Sequence, residues 1–167
     1  EYTVTVEPLE TEQQAQALLA QWRQADHVTV YALPDLSVLS VQWDTGAHTS
    51  AAAGLDQNRY TGDWHPLLTA LFSADIRKVG HHIKDTMRAL LEQDLPIEGY
   101  GFDTALAAYL LDATAGSYDL QRLFVTYYNE ELPKPLHLEP DAFAPLADTA
   151  SAWHTMFLYV SWARRCV

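Results

Sequence analysis

The chain has 167 residues, the size of one domain with a single core. Hydrophobic residues make up 49% and charged residues 19%, a balance that excludes a disordered chain and a coiled coil. Ten Lys and Arg face 22 Asp and Glu, and the formal net charge of −12 argues against tight autonomous binding of DNA, which draws on cations to neutralise phosphates. No apolar run approaches the roughly 20 residues that span a bilayer, and Glu1-Tyr2-Thr3-Val4 lacks the basic start of a signal peptide, so no membrane partner is expected. The chain has no initiator Met and reads as an excised fragment. Its lone Cys166 excludes an internal disulfide framework and fits a reducing cytoplasm.

In chain order, Tyr2 to Val6 alternates and is rich in β-branched residues, which predicts a short strand. Thr11 opens a helix with Ala17, Leu18 and Trp22 along one side. His27 to Ala32 and Leu36 to Trp43 read as strands joined by a turn at Pro34-Asp35, and Ala47 to Ala53 as a weaker strand bracketed by Gly46 and Gly54. Asp63 is placed to cap a helix with Pro66 in its first turn and Leu67, Leu68, Leu71 and Phe72 on its apolar side. A short strand over Arg77 to Gly80 leads into a helix over Lys84 to Gln93, with Met87, Leu90 and Leu91 at helical spacing. Phe102-Asp103-Thr104 introduces a further helix whose Leu106, Tyr109 and Leu110 are expected to point inward, with Gly116 just past its end. Asp119 to Tyr128 is helical. Pro133, Pro135 and Pro140 make an irregular connection to a last helix, from about Asp141 to Arg165, that buries Leu146, Trp153, Phe157 and Val160. Strands first, helices afterwards and no internal repeat predict one α/β domain over residues 1–167.

Two blocks carry a resemblance. Lys78-Val79-Gly80-His81-His82-Ile83-Lys84 resembles the segment before the second catalytic carboxylate in the 3′–5′ exonuclease domain of bacterial DNA polymerase I. Gly101-Phe102-Asp103-Thr104 through Tyr109-Leu110-Leu111-Asp112 resembles that family's Phe-Asp-Thr helix. The implied fold is ribonuclease H-like, a mixed β-sheet flanked by helices, as in the DEDD exonucleases. That family cuts DNA with two divalent metals about 3.5–4 Å apart, held chiefly by carboxylates.

Carried over position by position, the resemblance puts the family's Asp-x-Glu on Tyr31 and Leu33, its second-motif Asp on Thr86 with the preceding Tyr on Asp85, and its last-helix Tyr and Asp on Leu146 and Ala150. Of these positions, Tyr31, Leu33, Thr86, Leu146 and Ala150 carry no carboxylate, and the chain contains no Asp-x-Glu or Asp-x-Asp. Asp85 stands one residue from Thr86, about 100° around a helix, and Asp148 two residues from Ala150, about 200° around. The expectation is therefore no metal, no cofactor and no cleavage. The fragment would be a catalytically inactive support for a DNA-directed DNA polymerase in replication and repair. Its partners would be the polymerase domain of the same chain and, through the parent enzyme, DNA, which the domain alone would hold weakly or not at all. Alternatives are an active exonuclease using displaced acids such as Asp85 and Asp148, or a nucleotide- or protein-binding module that reuses the old cleft.

Other residues have two readings. His81-His82 with Asp85 suggests a transition-metal site, but adjacent histidines on a strand would face opposite ways. His137 and Asp141 have a spacing that relatives use in the last motif, but Pro140 makes Asp141 a better helix cap. Asp103 reads as a helix cap before it reads as an acid catalyst. The tryptophans fit core packing better than base stacking. Arg77, Lys78, Lys84 and Arg88 are the possible contacts to DNA or a neighbouring domain, with ordinary solvated cations as the bland reading.

Overall fold

A computed structural model of the chain describes residues 3–131. The elements run β1 (Thr3–Leu9), α1 (Glu12–Gln24), β2 (Val28–Ala32), β3 (Val38–Gly46), β4 (Thr49–Asp56), α2 (Trp64–Leu71), β5 (Lys78–Gly80), α3 (Ile83–Glu92), β6 (Tyr100–Asp103), α4 (Thr104–Leu111) and α5 (Leu120–Tyr128). The six strands form one mixed sheet in the order β1-β4-β3-β2-β5-β6. Only β3 runs against its neighbours; the β1–β4, β2–β5 and β5–β6 pairs are parallel. Pro8, which has no amide hydrogen, sits in β1 because that strand is an edge.

One face of the sheet packs against helices through β-branched and aliphatic side chains. Val28, Val30, Val41, Trp43, Ala53 and Leu55 meet Ala15, Leu18, Leu19 and Trp22 of α1 and Leu67, Leu68 and Leu71 of α2. Trp22 and Trp43 meet edge to face, 5.7 Å between ring centroids at 71°, and both are buried, as core packing requires. The helix that Thr11 opens has a complete capping box: Thr11 Oγ1 accepts from the Gln14 amide while Gln14 Oε1 accepts from the Thr11 amide.

Several expectations are corrected. Gly54 lies inside β4 rather than ending it, and β4 starts later, at Thr49, after Gly46 closes β3. Strand β6 has no signature in the sequence: its four residues follow a stretch that contains Pro96 and Gly99 and include Gly101, too short and too glycine-rich to read as a strand. Helix α4 packs the opposite way from the expected one. Thr104, Ala105, Ala107 and Ala108 face inward, while Leu106, Tyr109 and Leu110 are exposed, Leu110 to 82%. Small side chains let α4 approach Leu123 of α5 closely, so size rather than hydropathy chose its inner face. Leu91 on α3 is likewise exposed, and Met87 half-buried. Gly116 is left-handed (φ +73°) but lies in the turn beyond the Asp112 C-cap, not directly at the helix end. The proline-rich connection, the last helix with Leu146 and Ala150, and Asp141, Asp148, Trp153 and Trp162 lie outside the described residues.

Candidate functional site

The carboxyl ends of three adjacent parallel strands converge. β2 ends at Ala32, β5 at Gly80 and β6 at Asp103, and this edge of an α/β sheet is where ligands bind when they bind at all. It gathers Tyr31 and Leu33 from the end of β2, His81 to Thr86 from the β5–α3 junction, and Asp103 and Thr104 from the β6–α4 junction.

Tyr31 sits directly across from Ser40 of β3 and is half-buried; burial raises its hydroxyl pKa. Leu33 leaves the strand with its amide donating to the Val38 carbonyl (2.9 Å) and is also half-buried, so the two side chains fill the edge only in part. Thr86, in the first turns of α3, is half-buried, and Asp85 beside it is exposed. One acid signal passed over in the sequence is Tyr31 and Asp35, whose four-residue spacing is that of the family's last motif. Here the pair spans a strand end and a turn, not a helix. The Asp35 carboxylate accepts from the Ser37 amide and hydroxyl, which hold its pKa below the usual value. Among the described residues no three His, Cys, Asp or Glu side chains gather closely enough to ligate one ion. Tyr31, Leu33 and Thr86 offer no carboxylate oxygens, so these three described positions do not supply the hard ligands that paired magnesium or manganese ions need.

The histidine pair is arranged differently from a strand pair. β5 stops at Gly80, and His82 adopts a left-handed conformation (φ 53°) as the N-cap of α3. The two rings therefore touch edge to face, 4.4 Å between centroids, instead of pointing to opposite faces. His81 is buried, with Nδ1 2.7 Å from Thr104 Oγ1; that hydroxyl also donates to the Gly80 carbonyl at 3.3 Å. Burial, and secondarily the neighbouring His82, pushes the His81 pKa down to about 4, so the ring is neutral at pH 7. His82 is exposed, its Nε2 3.9 Å from Asp119.

Asp103 organises this edge. Its Oδ1 accepts from the Ala105 amide (2.8 Å) and the His82 amide (3.2 Å), and its Oδ2 from the Ile83 amide (2.9 Å). One carboxylate thus caps α4 and, across the sheet edge, the start of α3. His82 cannot cap α3 itself, because it makes no side-chain cap bond.

The four expected cations divide. Arg77, Lys84 and Arg88 are exposed, Arg77 lying 3.9 Å from Asp26. Lys78 is not a surface contact at all: it is fully buried, donating from Nζ to the Ile76 (2.6 Å) and Ser73 (2.9 Å) carbonyls, with the Phe72 and Tyr100 rings about it. Burial pulls its pKa down to about 8, against the favourable charge of Glu98. Its place in β5, between two neighbouring strands, is what removes it from solvent. Among the described residues no helix is long and apolar enough to cross a membrane.

Residues 52–134 match the profile of the family described as "DNA polymerase I, ribonuclease H-like domain". No curated protein matches the chain significantly. Among solved structures, the POL domain of Pol1 from M. smegmatis, in complex with DNA primer-template and dNTP, superposes with a TM-score of 0.68 at 22% identity. The match covers 92% of this chain and only 26% of that one. Escherichia coli RNase D, an exoribonuclease, gives 0.67 at 17% identity over 96% of this chain and 44% of its own. Brucella melitensis NrnC with bound Mg2+ gives 0.61 at 13% identity over 96% and 81%. These likenesses carry the ribonuclease H-like fold.

Proposed function

We propose that this chain, whose residues 52–134 match the DNA polymerase I ribonuclease H-like domain profile, is a non-cleaving exonuclease-like domain of that family, a folded support that sits beside a polymerase domain. What supports this reading is the convergent strand edge, which carries Tyr31, Leu33 and Thr86, the positions onto which the resemblance carries the family's metal-binding carboxylates. A site whose acids are the exposed Asp85 and an Asp103 already taken by three backbone amides would hold two divalent ions at a cost of several kcal/mol in uncompensated charge. The interlocked Asp103 caps and the neutral, buried His81 suit a permanent framework better than a site that exchanges metal and substrate. Synthesis by a polymerase domain of the same polypeptide, and contact with DNA through it, belong to this proposal; Arg77, Lys84 and Arg88 remain the cations available for such contacts.

The test is digestion. The purified chain is incubated with a 3′-labelled single-stranded oligonucleotide in magnesium and then manganese, beside an active exonuclease. An intact oligonucleotide, with the control active, is expected. Stepwise shortening from the 3′ end that is lost in Asp85→Asn would mean that the site has been rebuilt from displaced acids.

A further inference from the structure

A separate cleft of about 440 Å3 lies where the start of α2 meets the end of β4 and the segment after α3, within the usual range for small-molecule sites. The buried Leu68 and Leu95 line it together with Trp64, Pro66 and His65. Tyr60 packs against the Trp64 ring at 6.1 Å and fixes that wall. The polar lining includes Asp63, Gln57 and Gln93.

Asp63 occupies the N-cap of α2, where a carboxylate ordinarily accepts from the amide of the third helical residue. That residue is Pro66, which has no N–H, and the Asp63 side chain makes no cap bond. The missing amide also weakens the pull that a helix start exerts on anions. Burial first, and then the negative charges of Glu12 and Asp63, raise the Tyr60 hydroxyl pKa, so both carboxylates are felt at this ring. An aromatic face beside an uncommitted carboxylate and amide carbonyls suits a flat organic cation with several N–H donors. The net charge of −12 favours a cation over any phosphate-bearing ligand.

We propose that this cleft binds a guanidinium group, such as that of an arginine side chain, stacked on Trp64 and hydrogen-bonded to Asp63. The site is independent of the nuclease edge and of the function proposed above.

The experiment is a titration of the 15N-labelled 167-residue chain with N-methylguanidinium chloride, followed through the tryptophan indole and glutamine side-chain amide signals. Trp64→Phe identifies the Trp64 peak. Saturable shifts of Trp64, Gln57 and Gln93 are expected, with the Trp22 and Trp43 peaks unmoved. Asp63→Asn, which keeps a good N-cap residue, should weaken binding about tenfold, the loss of one charge-assisted hydrogen bond; unmoved Trp22 and Trp43 peaks in that variant show that the fold is intact. Shifts matched by sodium chloride at equal ionic strength, a response that never saturates, equal binding of tetramethylammonium (which lacks N–H donors), or an unweakened Asp63→Asn variant would each overturn the assignment.

Discussion

The carboxylate of Asp103 accepts a hydrogen bond from the amide of Ile83, 20 positions away in sequence, at 2.9 Å, and so joins the starts of α3 and α4. Since the same side chain also takes the Ala105 and His82 amides, its loss strands donors at both α3 and α4. Asp103→Ala should therefore cost about 2 kcal/mol or more, roughly two caps. Asp103→Asn, which can still accept through one oxygen, should cost distinctly less. Urea unfolding midpoints at unchanged m-value measure both.

His81 sets an acid limit. Its folded pKa, about 4, lies below the ordinary 6.5, so between those values the unfolded chain binds the proton that the folded chain refuses. Stability is thus held above pH 6.5 and falls as the pH drops toward 4, by up to roughly 3 kcal/mol from this group. His81→Gln should lose that slope while keeping a partner for Thr104. Unfolding free energies at pH 4.5 and 7 for both proteins check the difference; parallel pH profiles would mean that His81 is not the group responsible.

What the sequence made legible follows the strength of the local chemistry. Thr11, Asp63, Asp103 and Asp119 mark helix starts because such residues are a local signal; all four occupy the N-cap position, but only Thr11 and Asp103 make the side-chain cap bond. The strands of the sheet interior were read from β-branched runs, and the Lys78–Lys84 and Phe102–Asp112 blocks pointed to the fold that the comparisons carry. The misreadings have a common origin in tertiary placement. Lys78 reads as a solvated cation until β6 is laid beside β5, and Leu106, Tyr109 and Leu110 read as core until the alanines of α4 are seen to make the close contact. The touching of His81 and His82 required a left-handed residue at 82, which nothing in a two-histidine sequence announces.

Lys78 acts in the opposite pH range. Its folded pKa, about 8, is below the free value, so stability rises as the pH climbs from 8 toward 10.5 and the unfolded chain gives up the extra proton. Lys78→Met should be less stable at every pH because the Ser73 and Ile76 carbonyls lose their donor, and its deficit should widen across that interval. Thermal unfolding at pH 7.5 and 9.5 separates the two. Gly99 belongs to the same cage: at φ +78° an added Cβ would stand 2.6 Å from Lys78 Nζ and 2.3 Å from the Ile76 carbonyl, so Gly99→Ala should be severely destabilising.

The inverted face of α4 gives a pair of opposite expectations. Leu110, 82% exposed, should tolerate Glu within about 0.5 kcal/mol. Ala108, buried against Leu123, should not tolerate Leu, since overpacking costs about 1–3 kcal/mol. If Leu110→Glu instead unfolds the domain in urea, the expected inward packing of that side chain was right after all.

The last expectation concerns metal. With Tyr31, Leu33 and Thr86 at the strand edge, neither magnesium nor manganese should raise the melting temperature of the chain, because a ligand stabilises only what binds it in the folded state. Tyr31→Asp, Leu33→Glu and Thr86→Asp together put three carboxylates at the end of β2 and in the first turns of α3, where their mutual repulsion should lower stability without metal. Manganese should then recover part of that loss in a concentration-dependent way. Calorimetry of both proteins with and without manganese decides the matter. A rise in the unmodified chain, abolished by Asp85→Asn, would show that a working metal site already exists and would remove the ground for reading this domain as a support.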